Sequence, residues 1–102
     1  MAQRCGGLSA VQKATEETQK LIDSVRSEAE AQAGSKFDKY EAISFRPQVV
    51  AGTNYFVKVD IGDGKYVHLR VFQPLPNTGQ GPELSGIELN KSLYDEIDYF
   101  NN

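Results

Sequence analysis

Apolar residues recur at helical spacing through the first third of the chain and at every second position through much of the rest, which divides it into one helical segment and a series of strands. Val11, Ala14, Thr18, Leu21, Ile22, Val25 and Ala29 fall on one helix face, with Lys13, Glu16, Glu17, Lys20, Arg26 and Glu30 on the other. Ser9 with Gln12 three positions later fits a capping box, and Gly34 fits a left-handed C-terminal stop. The pattern predicts one long helix from Ser9 to Gly34. On its polar face Glu16 with Lys20, and Arg26 with Glu30, are spaced to pair.

From Lys36 the period moves toward two. Tyr40 and Ala42 lie on one parity and Ile43, Phe45 and Val49 on the other, as an inserted residue would cause, so a bulge is expected near Ala42. Pro47 has no amide to donate, which places its strand at an edge or out of the ladder at that point. Tyr55, Val57, Val59 and Ile61 then give one clean apolar face. Gly62-Asp63-Gly64 turns the chain into a strand whose Val67, Leu69 and Val71 alternate with Tyr66, His68, Arg70 and Phe72. Residues 73–82 hold three prolines and two glycines and predict a long connection, neither helix nor central strand, with its apex at Pro74-Leu75-Pro76. A last strand runs from about Leu84 to Leu89, weakened by Gly86. The aromatic tail from Leu93 to Phe100 should pack on the body. These elements predict an α+β fold of two layers, one long N-terminal helix wrapped by a four- to five-stranded antiparallel sheet. In such a meander alternate turns share an end, so Gln48 to Gly52 and Gln73 to Asn77 should be neighbours.

Composition narrows the functional classes. A chain of 102 residues with 39% apolar content closes one modest core and forms one domain over 1–102, which begins with an arm at residues 1–8 that lacks periodicity and is expected to be flexible. The net charge of −3 is spread among interspersed acidic and basic residues, which favours neither nucleic acid nor membrane as partner. A single cysteine makes no internal disulfide, and the start of the sequence has no apolar run of the kind a secretory signal needs. Both point to an intracellular, cytoplasmic protein.

The segment Gln48-Val49-Val50-Ala51-Gly52 sits at the bend between the first two strands, and it is unusual for a turn. Solvent normally selects Gly, Asn, Asp, Pro and Ser there, whereas two valines and an alanine at an apex imply a covering partner. This pentapeptide with Thr53-Asn54-Tyr55-Phe56 resembles the first inhibitory hairpin of the cystatins, inhibitors of papain-like cysteine proteases. Gly6-Gly7 and Leu75-Pro76 match the other two parts of that family's wedge in the right order. The similarity runs through nearly the whole chain and is nearest to the small intracellular branch, the stefins. It implies a reversible, tight-binding competitive inhibitor of the cathepsin class of proteases. Cys5, Gly6, Gly7, Gln48, Val49, Val50, Ala51, Gly52, Leu75 and Pro76 would form the protease-binding edge. Pro74 departs from the commoner pattern. The resemblance further implies a monomer able to exchange its helix and first strand with a second copy.

Other chemistries have weaker support. Cys5 and His68 invite a catalytic dyad, but nothing in the sequence holds Cys5, and a lone strand histidine is ordinarily a packing residue. No second histidine or cysteine is present for a zinc site, and no metal or other cofactor is expected. A different class, an interaction or scaffold module using the first hairpin or a sheet edge on a non-protease partner, fits the same exposed tip. A ligand carrier would need a cavity that the long helix is expected to fill.

Overall fold

The computed structural model describes residues 8–101. An antiparallel sheet runs in the order β1 (Gln12–Lys13), β2 (Glu41–Val50), β3 (Gly52–Gly62), β4 (Lys65–Gln73) and β5 (Glu83–Lys91), each strand beside its neighbour in sequence. Two helices, α1 (Glu16–Asp23) and α2 (Arg26–Ala33), cover one face, and the C-terminal segment covers the other.

The helical segment departs from the sequence expectation at its start and in its middle. Ser9 to Lys13 is not helical, and Gln12 and Lys13 pair with Phe45 and Ser44. The capping box is formed instead by Thr15 and Thr18, each side chain taking the other's backbone amide. Val11, expected on the buried face, is exposed. The long helix is broken at Ser24 and Val25. The Ser24 hydroxyl donates to the Leu21 carbonyl at 2.6 Å, and the Val25 amide reaches only three residues back, to Ile22. A serine that competes for a backbone carbonyl bends a helix in this way. Ile22, Val25 and Ala29 all turn toward the sheet on either side of the break, where each is fully buried. Gly34 ends α2 in the left-handed conformation, as expected.

Side chains fix the helices to β2. Gln19 donates to the Tyr40 carbonyl and accepts from the Ala42 amide, both at 2.8 Å. The Tyr40 hydroxyl donates to the Ile22 carbonyl, and Arg26 and Glu30 together take the carbonyl and amide of Phe37. Arg26 and Glu30 form their expected pair at 3.2 Å. The core between helices and sheet gathers Phe37, Tyr40, Ala42, Phe45, Val57, Val59, Val67, Leu69 and Val71 around the helical residues.

The expected bulge lies between Ala42 and Ser44, which brings Ala42 and Phe45 to the same buried face. Asp63 and Gly64 both have positive φ, the backbone a two-residue hairpin turn requires. β5 is longer than expected and carries its own irregularity: Gly86 faces Arg70 while Leu84 faces Val71, so Ser85 is an extra residue. Leu84 and Ile87 therefore share the core face, and Leu89 is exposed. The connection after β4 contains one short 3₁₀ turn, Pro76–Thr78, where no helix of any kind was expected.

On the opposite face a second cluster forms as Ile97 and Phe100 close over Phe56. The polar parity of the sheet is thereby buried. Lys58 donates to the carbonyls of Leu93 and Asp95, Arg70 donates to that of Phe100, and His68 is fully buried. Among the described residues no helix is long and apolar enough to cross a membrane.

Candidate functional site

β2 and β3 stay paired to their last residues. Val49 faces Thr53 and Val50 faces Gly52, leaving Ala51 alone at the bend. So tight a turn needs an unusual backbone, and Gly52 provides it with φ +118°. A Cβ at Gly52 would lie 2.6 Å from the Gln73 carbonyl oxygen and 2.9 Å from the Phe72 ring. The glycine thus serves two needs, the bend itself and the close approach of the end of β4.

Directly behind the bend, Gln48 and Asn54 face each other across the strands, both buried, with the Asn54 amide donating to the Gln48 Oε1 at 2.8 Å. This buried pair locks the register two residues from the tip. Val49 and Val50 lie beyond it, at the tip. They stand 71% and 44% exposed.

Thr53 pairs with Gln73, so the first bend and the connection after β4 emerge side by side. Pro74 is buried at the root of that connection, and Leu75 beyond it is 47% exposed, capping the 3₁₀ turn that begins at Pro76. The predicted adjacency of the two turns is present. The described start of the chain joins them, since the Ser9 amide donates to the Pro47 carbonyl at 2.8 Å. That contact also shows how β2 accommodates Pro47: its outer side uses only the proline's carbonyl. Cys5, Gly6 and Gly7 lie outside the described residues.

The resulting edge is apolar and uncharged. No Asp, Glu, Lys or Arg occurs in residues 47–57 or 71–82. The described residues of this edge carry no thiol, imidazole, amine or carboxylate. His68, the histidine of the dyad considered above, is sealed beneath the C-terminal segment, where burial and the nearby Lys58 and Lys91 push its pKa down to about 4. Among the described residues no group of His, Cys, Asp and Glu is placed to hold a metal ion. The edge can do one thing chemically, which is to bury its own apolar surface against a concave partner.

Residues 6–91 match the cystatin domain family. The chain belongs to the cystatin family. Cystatin-B from Mus musculus and from Homo sapiens are each 52% identical to it over 96 residues, which is 94% of this chain and 98% of theirs. Cystatin-B from Oplegnathus fasciatus is 48% identical over 100 residues, 98% of this chain and 100% of its own. The family assignment agrees with the α+β architecture, with the helix corrected to two segments.

Sequence reasoning placed Asn54 in the hairpin without its bond to Gln48, and missed Phe72 as the ring that Gly52 approaches. Asn54 carried a signal, a carboxamide opposite Gln48 in a hairpin otherwise rich in apolar residues. Phe72 was legible only as the alternate face of β4. The expectation that the helix fills the space above the sheet also needs correction. A groove of about 570 Å³ remains between α1 and the sheet, bordered by Leu21, Phe45, Tyr55 and Pro82. Thr15, Thr18, Lys20 and Ser24 line it from the helix side.

Proposed function

We propose that the chain is a reversible, tight-binding competitive inhibitor of papain-like cysteine proteases, acting within the cell. The observation that carries the reading is the alignment of Val49, Val50 and Leu75, exposed on adjacent turns at the end of the sheet where the chain start also arrives. The arm with Gly6 and Gly7, the first hairpin from Gln48 to Gly52, and Leu75-Pro76 form a wedge that fills both sides of a protease's cleft. Glycine near the arm's end lets the backbone pass the catalytic thiol without a side chain. Attack needs a carbonyl aligned at roughly 3 to 3.5 Å, and a wedge of turn apices offers no peptide bond in that position. Inhibition is therefore occlusion, and the inhibitor is released intact.

Energetics support tight binding. Covering Val49, Val50 and Leu75 contributes about 1 to 2 kcal/mol each at their degree of exposure. The turns are already held by Gln48, Asn54 and Gly52, so little ordering cost opposes docking. A standard interface of about 800 Å² per partner with such preformed anchors is compatible with nanomolar affinity.

Titration of active papain with the protein tests the reading. Activity should fall linearly to zero at one equivalent and return on dilution with excess substrate. Unchanged activity at micromolar protein would refute it and would favour a scaffold role for the same tip or for the outer edge of β5.

A further inference from the structure

Arg46 touches both ends of the described chain. Its Nε donates to the Ser9 carbonyl at 2.9 Å, and its Nη1 donates to the Ile97 carbonyl at 2.6 Å with the Asp98 carboxylate 3.7 Å away. Beside it Leu8 packs against Phe56, Ile97 and Phe100. The place where the N-terminal arm joins the sheet is thus built largely from the other end of the sequence. That end is itself tied down, since Lys58 donates to the Asp95 carbonyl at 2.7 Å and Arg70 to the Phe100 carbonyl at 3.0 Å.

We infer that Arg46 and the C-terminal segment from Ile97 to Phe100 form a seat that fixes where the arm leaves the sheet, and so set how long the arm holds a bound protease. The inference deepens the inhibitor reading and rests on it. A guanidinium is suited to the task because its rigid fork has donors for two carbonyls at once, where a lysine ammonium would be a point charge on a flexible stem. A pinned root keeps the arm at high effective concentration beside the cleft whenever its contacts open. With the root released, Leu8 and Ser9 must be ordered again at each rebinding, and the complex dissociates faster. Arg46 is in this sense a positioning residue that acts through Ser9 without touching the protease.

The test compares dissociation rates from papain for four proteins: the full chain and a chain lacking Met1 to Gly6, each with Arg46 or with Arg46→Gln. In the full chain Arg46→Gln should speed dissociation roughly tenfold, what the loss of the charged-donor hydrogen bond to the Ser9 carbonyl, the one of its two that holds the arm, amounts to. Without the arm the same substitution should change it by less than about twofold, because nothing remains to be positioned. Amide exchange at Ser9, measured by NMR, should quicken in Arg46→Gln while the amides of β3 keep their protection. Ile97→Ala approaches the seat from the other side and should show the same dependence on the arm, which keeps the test open if Arg46→Gln folds poorly. An equal effect with and without the arm, or no effect in the full chain, would overturn the inference. Failure of the unsubstituted chain to bind papain overturns the inhibitor reading, and the seat's role with it, before any variant is compared.

Discussion

His68 should make the protein lose stability as the pH falls from about 6.5 to about 4. Its side chain is fully buried, neither ring nitrogen has a hydrogen-bond partner among the described residues, and the Glu88 carboxylate is 3.9 Å from Nδ1. Burial is the largest influence on its pKa, followed by Lys58 and Lys91; Asp95 and Asp98 oppose them more weakly, and the result is a fall from 6.5 to about 4. A base held neutral in the folded state binds fewer protons there than in the unfolded chain. The unfolded state is therefore favoured progressively as pH drops through that window, and the contribution levels off below the folded pKa. A fall of this size corresponds to roughly 3 kcal/mol as an upper value, a large share of a small domain's stability. Glu30, Asp60 and Asp95 add a background, since hydrogen bonds from Phe37, Gly62 and Ser92 hold their carboxyls below the usual range and that stabilisation is lost as they protonate. His68→Leu removes the imidazole and keeps the bulk. Urea denaturation followed by far-UV circular dichroism, which needs no tryptophan, should show that the unsubstituted protein loses roughly 3 kcal/mol more than His68→Leu between pH 7 and pH 4. Parallel losses in the two proteins would refute the assignment of this dependence to His68.

Val49→Asp and Val50→Asp should each weaken papain binding by about 2 kcal/mol or more while leaving the urea midpoint nearly unchanged, since both side chains are exposed; an unfolded variant would contradict their exposure. Gly52→Ala meets the Gln73 carbonyl and the Phe72 ring at a positive φ, and should cost about 1 to 3 kcal/mol in stability together with a loss of inhibition, read by denaturation and papain assay. Asn54→Ala removes the Asn54–Gln48 hydrogen bond and should cost about 0.5 to 1.5 kcal/mol by urea denaturation, the net worth of one such bond. Straightening of the chain at Gln48 to Gly52 would let two copies exchange everything before the bend. Heating near the unfolding midpoint should then yield a dimer on size exclusion that no longer inhibits papain.

Much of this arrangement was legible because the sheet's central face follows a strict period of two. Val57, Val59, Val67, Leu69 and Val71 reach the core as their alternation predicts, and the bulge at Ile43 announced itself as a change of parity. The tips were legible for the opposite reason, being apolar where solvent should have selected polar residues. The true helix start was missed because Ser9 with Gln12 offers a capping-box pattern that the chain does not use. Ser9 lost to Thr15 because the residues between them pair with β2, a long-range contact that local sequence does not encode. The aromatic tail was expected to pack on the body, but alternation alone could not reveal that it covers the parity of Lys58, His68 and Arg70. The link from Arg46 to both chain ends was invisible for the same reason.

The central claim is that the apolar edge formed by the two turns is what meets the protease. Amide hydrogen exchange of the protein, free and bound to papain, tests it most directly. The account predicts added protection at Val49, Val50, Ala51 and Leu75, with β5 from Glu83 to Lys91 unchanged. Full inhibition of papain with those tip amides exchanging as fast as in the free protein would contradict it.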